Sequence, residues 1–246
     1  MENALPIFLH NLSNRIILNE IKELIPENTK VYLFGGTIRN AIHFNYFKEK
    51  IKQRDFDCIV IGDGELFAQN LLKAGFVYGS KDSEKSKVLK KARILNPVDR
   101  YNDFLYLDCK IFSSSESIES TLERISDFTI GAVALDIKEI DSINWLNKVS
   151  SIEDAVLDIK NKKLKIIKSY PANLYKMIRL VSQGYQLLLD NDIEYILEKA
   201  KDITEEKFKR EVEKTSQYVG GAENVLEIAR GLGITKNILD FESIKK

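Results

Sequence analysis

The sequence predicts an α+β protein, with a small mixed-sheet domain through Ser150 followed by an all-helical domain from Ser151 to Lys246. Short apolar runs closed by glycine or polar turns alternate with helical patterns as far as Ile137, as in a mixed unit of strands and helices. Beyond Ser150 apolar residues recur at helical spacing, and no strand-like segment follows Ile167. A chain of 246 residues, 44% hydrophobic and 30% charged, is long and apolar enough for two small domains with a core.

Apolar side chains at Ile7, Leu9, Leu12, Ile16, Ile17, Ile21 and Leu24 predict an amphipathic helix that stops before Pro26. Val31–Phe34 is a short apolar strand closed by Gly35-Gly36, and a helix starts near Thr37. Phe56–Ile61 reads as a second strand ended by Gly62-Asp63-Gly64, and Glu65–Ala74 as a helix closed at Gly75. Val88–Leu95 and Phe104–Phe112 are strand-like, Ile118–Arg124 is helical, and Thr129–Ile137 is again apolar. Leu174–Leu189, Ile193–Ala200, Glu205–Val219 and Ala222–Gly231 carry the helical spacing of the second region.

Composition limits the partners. Lys plus Arg and Asp plus Glu number 37 each, so no global basic field holds nucleic acid, and such contact must come from local runs. Basic runs occur at Lys48–Arg54, Lys81–Arg93, Lys160–Lys168 and Lys207–Lys214, although such runs also serve simply as solvated faces. No apolar stretch approaches the ~20 residues of a membrane span, and the N-terminus lacks the pattern of a secretory signal, so a cytoplasmic protein is expected. His10 and His43 are the only histidines and Cys58 and Cys109 the only cysteines, too few for a His- or Cys-rich metal site, which leaves carboxylates as metal ligands.

On an extended strand, residues i and i+2 share a face, so Asp55 and Asp57 stand together while Phe56, Cys58 and Val60 turn into the core. Two like charges so close are costly unless a cation lies between them, and magnesium favours carboxylates together with water and phosphate oxygens. Asp108, in the apolar run 104–112, is a third acid in need of a partner or ligand. Asp-x-Asp alone also occurs in ordinary surface strands. Cys109 follows Asp108 as Cys58 follows Asp57, and both thiols read as packing residues behind the sheet. Gly35-Gly36 allows close backbone approach, and the following helix start offers N–H groups and a positive dipole end to a triphosphate. Arg39, about one turn on, has the reach and planar fork to meet a phosphate; an ordinary tight turn with a solvent-facing arginine is the alternative.

The segments VYLFGGTIRNAI and RDFDCIVIGDGELFAQNLLKAGF together resemble the head-domain signature of the bacterial poly(A) polymerase and CCA-adding tRNA nucleotidyltransferase family, class II members of the DNA polymerase β superfamily. A second block, ERISDFTIGAVALDI, resembles the family's Arg-Arg-Asp-Phe-Thr-Ile-Asn-Ala segment and matches at Asp127, Phe128, Thr129, Ile130 and Ala132. The resemblance implies a nucleotidyltransferase head followed by a helical neck. It implies Asp55 and Asp57 as ligands of Mg2+ or Mn2+, Asp108 as an activating or third carboxylate, and Gly35, Gly36 and Arg39 as contacts to the phosphates of ATP or CTP. Arg124, Asp127, Lys176 and Arg179 join the implied nucleotide-binding set. The implied activity is transfer of a nucleoside monophosphate from an NTP to an acceptor, chiefly a tRNA-like RNA 3′ end.

The chain also departs from the family pattern. Arg39-Asn40 replaces arginine-aspartate, Ile125-Ser126 replaces the paired arginines, and Gly131 replaces asparagine. In the neck, the base-reading Glu-Asp-x-x-Arg series aligns with Ser169-Tyr170, Asn173, Lys176 and Arg179, which retains positive charge for phosphate but not the acid that reads a base. On this resemblance the chain is expected to extend about as far as the family's neck, without the family's tRNA clamp. These departures keep a second reading in view, a non-catalytic nucleotide-sensing or partner-binding module, with a protein partner or a second copy of the chain as its target.

Overall fold

The computed structural model describes residues 12–49, 51, 55–83, 86–92, 104–170, 173–188, 191–200 and 204–232. They fall into two compact units, one comprising the residues up to Ser126 and Ile130–Lys160, the other Asp127–Thr129 and the residues from Asn161 on. The shift in composition at Ser150 thus lies inside the first unit, which continues through β7 (Ser150–Ser151) and α5 (Ala155–Lys160).

In the first unit, helix α1 (Leu12–Glu23) buries Asn14, Ile17, Leu18 and Ile21 along one stripe. Residues 7–11 of the helix expected there lie outside the described residues. Strand β1 (Lys30–Phe34) is followed by α2 (Gly36–Phe47), β2 (Phe56–Ile61), α3 (Gly64–Lys73), β3 (Val77–Ser83), β4 (Ser86–Ala92), β5 (Phe104–Phe112), α4 (Ile118–Ile125) and β6 (Val133–Asp136). With β7 the strands form one mixed sheet in the order β3-β4-β5-β2-β1-β6-β7. β2 and β5 are parallel neighbours, and every other pairing in this sheet is antiparallel. A parallel pair needs a long crossover, which here contains α3, β3 and β4. One face of β2 and β5, formed by Phe56, Cys58, Val60, Leu105, Leu107 and Cys109, is buried throughout.

The predicted strand at Val88–Leu95 is β4, of which 93–95 lie outside the described residues. β3 was not expected from the sequence. Its composition, Val77-Tyr78-Gly79-Ser80-Lys81-Asp82-Ser83, has no alternating apolar face, because it is an edge strand held by its ladder to β4. A Cβ at Gly79 would lie 2.7 Å from Val88 Cγ1, so glycine permits this edge to close on its neighbour.

The second unit is mostly helical: α6 (Asn173–Ser182), α7 (Asn191–Ala200), α8 (Glu205–Val219) and α9 (Ala222–Gly231). Two expectations are corrected. The helix predicted over Leu174–Leu189 stops at Ser182, and β9 (Gln186–Leu187) pairs in parallel with β8 (Lys163–Leu164), so a strand does follow Ile167. Gly184, at φ +84°, ends α6 with the amide of Tyr185 donating to the carbonyl of Leu180 at 3.2 Å, which turns the chain back into an extended segment. Gly220 and Gly221 likewise separate α8 from α9, which pack together and against α6 through Val212, Val219, Val225 and Ala229.

Candidate active site

β2 begins at Phe56, which is fully buried, and Asp55 and Asp57 flank it as half-buried residues on the opposite face. In the parallel pairing with β5, Asp57 stands in register with Asp108, and Cys58 with Cys109. The sheet therefore sets Asp57 and Asp108 side by side on one face, with Asp55 at the lip of the strand. Asp108 Oδ1 is buried and has no hydrogen-bond partner among the described residues, so this face holds an unmet carboxylate lone pair. No group of three or more His, Cys, Asp and Glu side chains among the described residues is placed to hold a metal alone. A magnesium or manganese ion here would take two carboxylates and fill its shell with water and ligand oxygens, which is common for Mg2+; the chemistry of the donor set and the orphaned oxygen fit such an ion.

Gly35 forms the other wall. Its φ of +63° and ψ of −128° belong to glycine, and a Cβ there would lie 4.0 Å from Asp57 Oδ2. It precedes α2 as the N-cap residue and supplies no side-chain cap itself, so the helix N-terminus opens beside the carboxylates. Thr37 Oγ1 donates to the carbonyl of Asp55 at 3.5 Å and links this helix start to the lip of β2. A Cβ at Gly36 would lie 3.6 Å from Arg39 Nη2, because the guanidinium folds back over the turn.

Arg39 is buried in its own turn and is not the solvent-facing side chain of the alternative reading. It is 7% exposed, and its Nε and Nη2 donate to Asn40 Oδ1 at 3.2 and 2.9 Å. Arg124 pairs with Glu116, and its guanidinium carbon stacks 4.9 Å from the Phe112 ring centroid. In the second unit, Asp127 and Lys176 are brought together as an ion pair, and the Asp127 carbonyl accepts from the amides of Ile167 and Lys168. Arg179 lies 5.0 Å over the Tyr218 ring, with Nε buried and unpartnered. Burial, then the hydrogen-bonded Cys109 and the Asp57 and Asp108 carboxylates, pushes the Cys58 thiol well above its ordinary range. Lys110 was missed in the sequence; the i, i+2 rule applied from Asp108 places it on the carboxylate face.

A cavity of about 280 Å3 opens at the far end of β1 and β2, between Asn28, Lys30, Tyr32, Ile61 and the start of α4. It contains none of the expected site residues. No described helix is long and apolar enough to cross a membrane. Of the basic runs, Lys50 and Lys52–Arg54 lie outside the described residues, as do Glu84-Lys85 and Arg93 of the second run.

A carboxylate row on a mixed sheet, walled by a glycine turn at a helix start, belongs to an α+β unit that is followed in the chain by a helical one. No protein-family model and no curated protein matches the sequence. Solved structures do. The Thermotoga maritima CCA-adding enzyme complexed with tRNA superposes with a TM-score of 0.66 at 17% identity, covering 95% of this chain and 55% of that one. A CCA-adding enzyme with CTP gives 0.65 at 18% identity over 94% and 53%. The Bacillus stearothermophilus CCA-adding enzyme with CTP gives 0.59 at 16% over 91% and 53%. At these identities the likeness shows the fold, which is α+β with a mixed sheet and a helical region. The chain spans about half the length of these structures.

Proposed function

We propose that the chain is a metal-dependent nucleotidyltransferase that moves a nucleoside monophosphate from ATP or CTP to an acceptor hydroxyl, chiefly at a tRNA-like RNA 3′ end. The observation that carries this reading is the register of Asp57 with Asp108 beside the Gly35 turn, with one carboxylate oxygen left unmet. Its fold is shared with enzymes solved with CTP, with ATP and with tRNA.

In the proposed reaction the acceptor oxygen forms a bond to the α-phosphorus, the α–β phosphoanhydride bond breaks, and pyrophosphate leaves with the negative charge. Magnesium or manganese, held by Asp55 and Asp57, would supply Lewis-acid stabilisation of that charge. Gly35 and Gly36 keep the backbone low so that the α2 N-terminus meets the phosphates. The Asp108 carboxylate would accept the hydrogen bond, and then the proton, of the attacking hydroxyl.

A second reading is a nucleotide-sensing or partner-binding module without turnover, and three engaged side chains favour it. Arg39 is held by Asn40, Arg124 by Glu116 and Lys176 by Asp127. The decisive assay incubates the protein with each α-labelled NTP, Mg2+ or Mn2+ and total cellular RNA, beside an Asp55→Ala, Asp57→Ala control. Label in RNA that the control lacks supports the transferase and identifies the base. Absence of label from folded protein with every NTP leaves the second reading.

A further inference from the structure

Lys110 follows Asp108 by two positions on β5 and so shares the carboxylate face. It pairs in register with Ile59 of β2, which is opposite Tyr32 of β1. Its ammonium lies over the Phe34 ring, 5.3 Å from the centroid. Phe34 is one step along β1 from the Leu33–Cys58 pair, at the level of Asp57, and it leads directly into Gly35. The side chain therefore leans along the sheet toward the place where the glycine turn, Asp57 and Asp108 meet.

Lys110 has no ion-pair partner among the described residues. The surrounding cations are engaged: Arg39 by Asn40, Arg124 by Glu116 and Phe112, and Lys87 on the other face by Glu65 at 3.0 Å. A half-buried ammonium resting on an aromatic ring, near carboxylates but bonded to none, suits an anion that arrives from solvent. The same face without this charge would repel a polyphosphate.

We propose that Lys110, rather than Arg39, is the cation that grips the terminal phosphates of the nucleotide and the pyrophosphate product in this chain. The proposal rests on the nucleotidyltransferase reading of the site. It requires Lys110 to discriminate by phosphate number: a triphosphate or pyrophosphate reaches the ammonium, and a nucleoside monophosphate does not.

The test is calorimetric titration of the full chain with the magnesium complexes of ATP, CTP and inorganic pyrophosphate, and with AMP and CMP. Lys110→Ala and the uncharged Lys110→Gln are expected to weaken triphosphate and pyrophosphate binding by about tenfold or more. Monophosphate binding should stay within about threefold, and Lys110→Arg should retain triphosphate binding within the same margin. Lys90→Ala, which removes a cation opposite Tyr106 on the same face, is the control for general electrostatics and should change little. Unchanged triphosphate binding in Lys110→Ala, or equal losses for monophosphate and triphosphate, would overturn the assignment while leaving the site's nucleotide reading intact. Failure of the wild-type protein to bind any of these ligands would overturn both.

Discussion

Asp108 and Gly35 carry opposite kinds of tension at the residue scale. Asp108 faces a like charge in register and has an oxygen without a partner, so the metal-free protein bears an electrostatic cost at this point. Asp108→Asn is expected to raise Tm by about 2–4 °C in the presence of chelator, on the order of 1 kcal/mol, and, if the proposed transferase reading holds, to abolish labelling of RNA. A thermal melt paired with the labelling assay checks both, and a lower Tm would remove the argument for crowding. Gly35 carries a backbone demand instead. Gly35→Ala forces a left-handed φ on a residue with a Cβ and should cost about 1–3 kcal/mol, whereas Gly36→Ala meets only ordinary contact with Arg39 and should stay within about 0.5 kcal/mol. Denaturant unfolding of the two variants gives the contrast directly. The shared face of Asp55 and Asp57 was legible in the sequence because i, i+2 alternation survives any strand pairing. The engagement of Arg39 by Asn40 was not legible, because it depends on a rotamer that folds the guanidinium back over the turn.

At the scale of elements, central strands and amphipathic helices were readable, whereas the edge strand β3 and the short pair β8–β9 were not. A central strand is apolar because both its faces are covered, as the burial of Val31 and Leu33 on one face and of Tyr32 and Ile59 on the other shows. An edge strand or a two-residue strand leaves little such imprint, since its hydrogen bonds do not depend on side-chain type. The packing of α6 against α8 also has a titrating member. Burial, and then the charge of Glu211, holds the Tyr175 hydroxyl above its ordinary value of 10. Above pH 10 the unfolded chain loses this proton while the folded chain keeps it, so stability falls as pH rises through that window. Tyr175→Phe removes this dependence. Urea midpoints at pH 9 and pH 11 should therefore converge in the variant relative to wild type, and an identical decline in both proteins would show that Tyr175 does not contribute.

For the whole molecule, the two thiols report how firmly the sheet is closed. Cys58 and Cys109 are 0% and 2% exposed, and the Cys58 thiol is held protonated by burial first and by its neighbours second. An aromatic disulfide reagent should react with neither in the native protein and with both in denaturant, at a rate set by opening of the sheet. Fast reaction in the native state would mean that β2 and β5 separate readily. The fold class and the order of units followed from alternation and helical spacing, which are local. The pairing that makes the candidate site is not local: β5 enters between β4 and β2 only after α3, β3 and β4 have been made. During synthesis, Asp55 and Asp57 are consequently made about fifty residues before Asp108 and Lys110. A nascent chain arrested short of β5 would hold two of the three carboxylates, and the face that Asp108 and Lys110 complete would form only when β5 takes its place between β4 and β2.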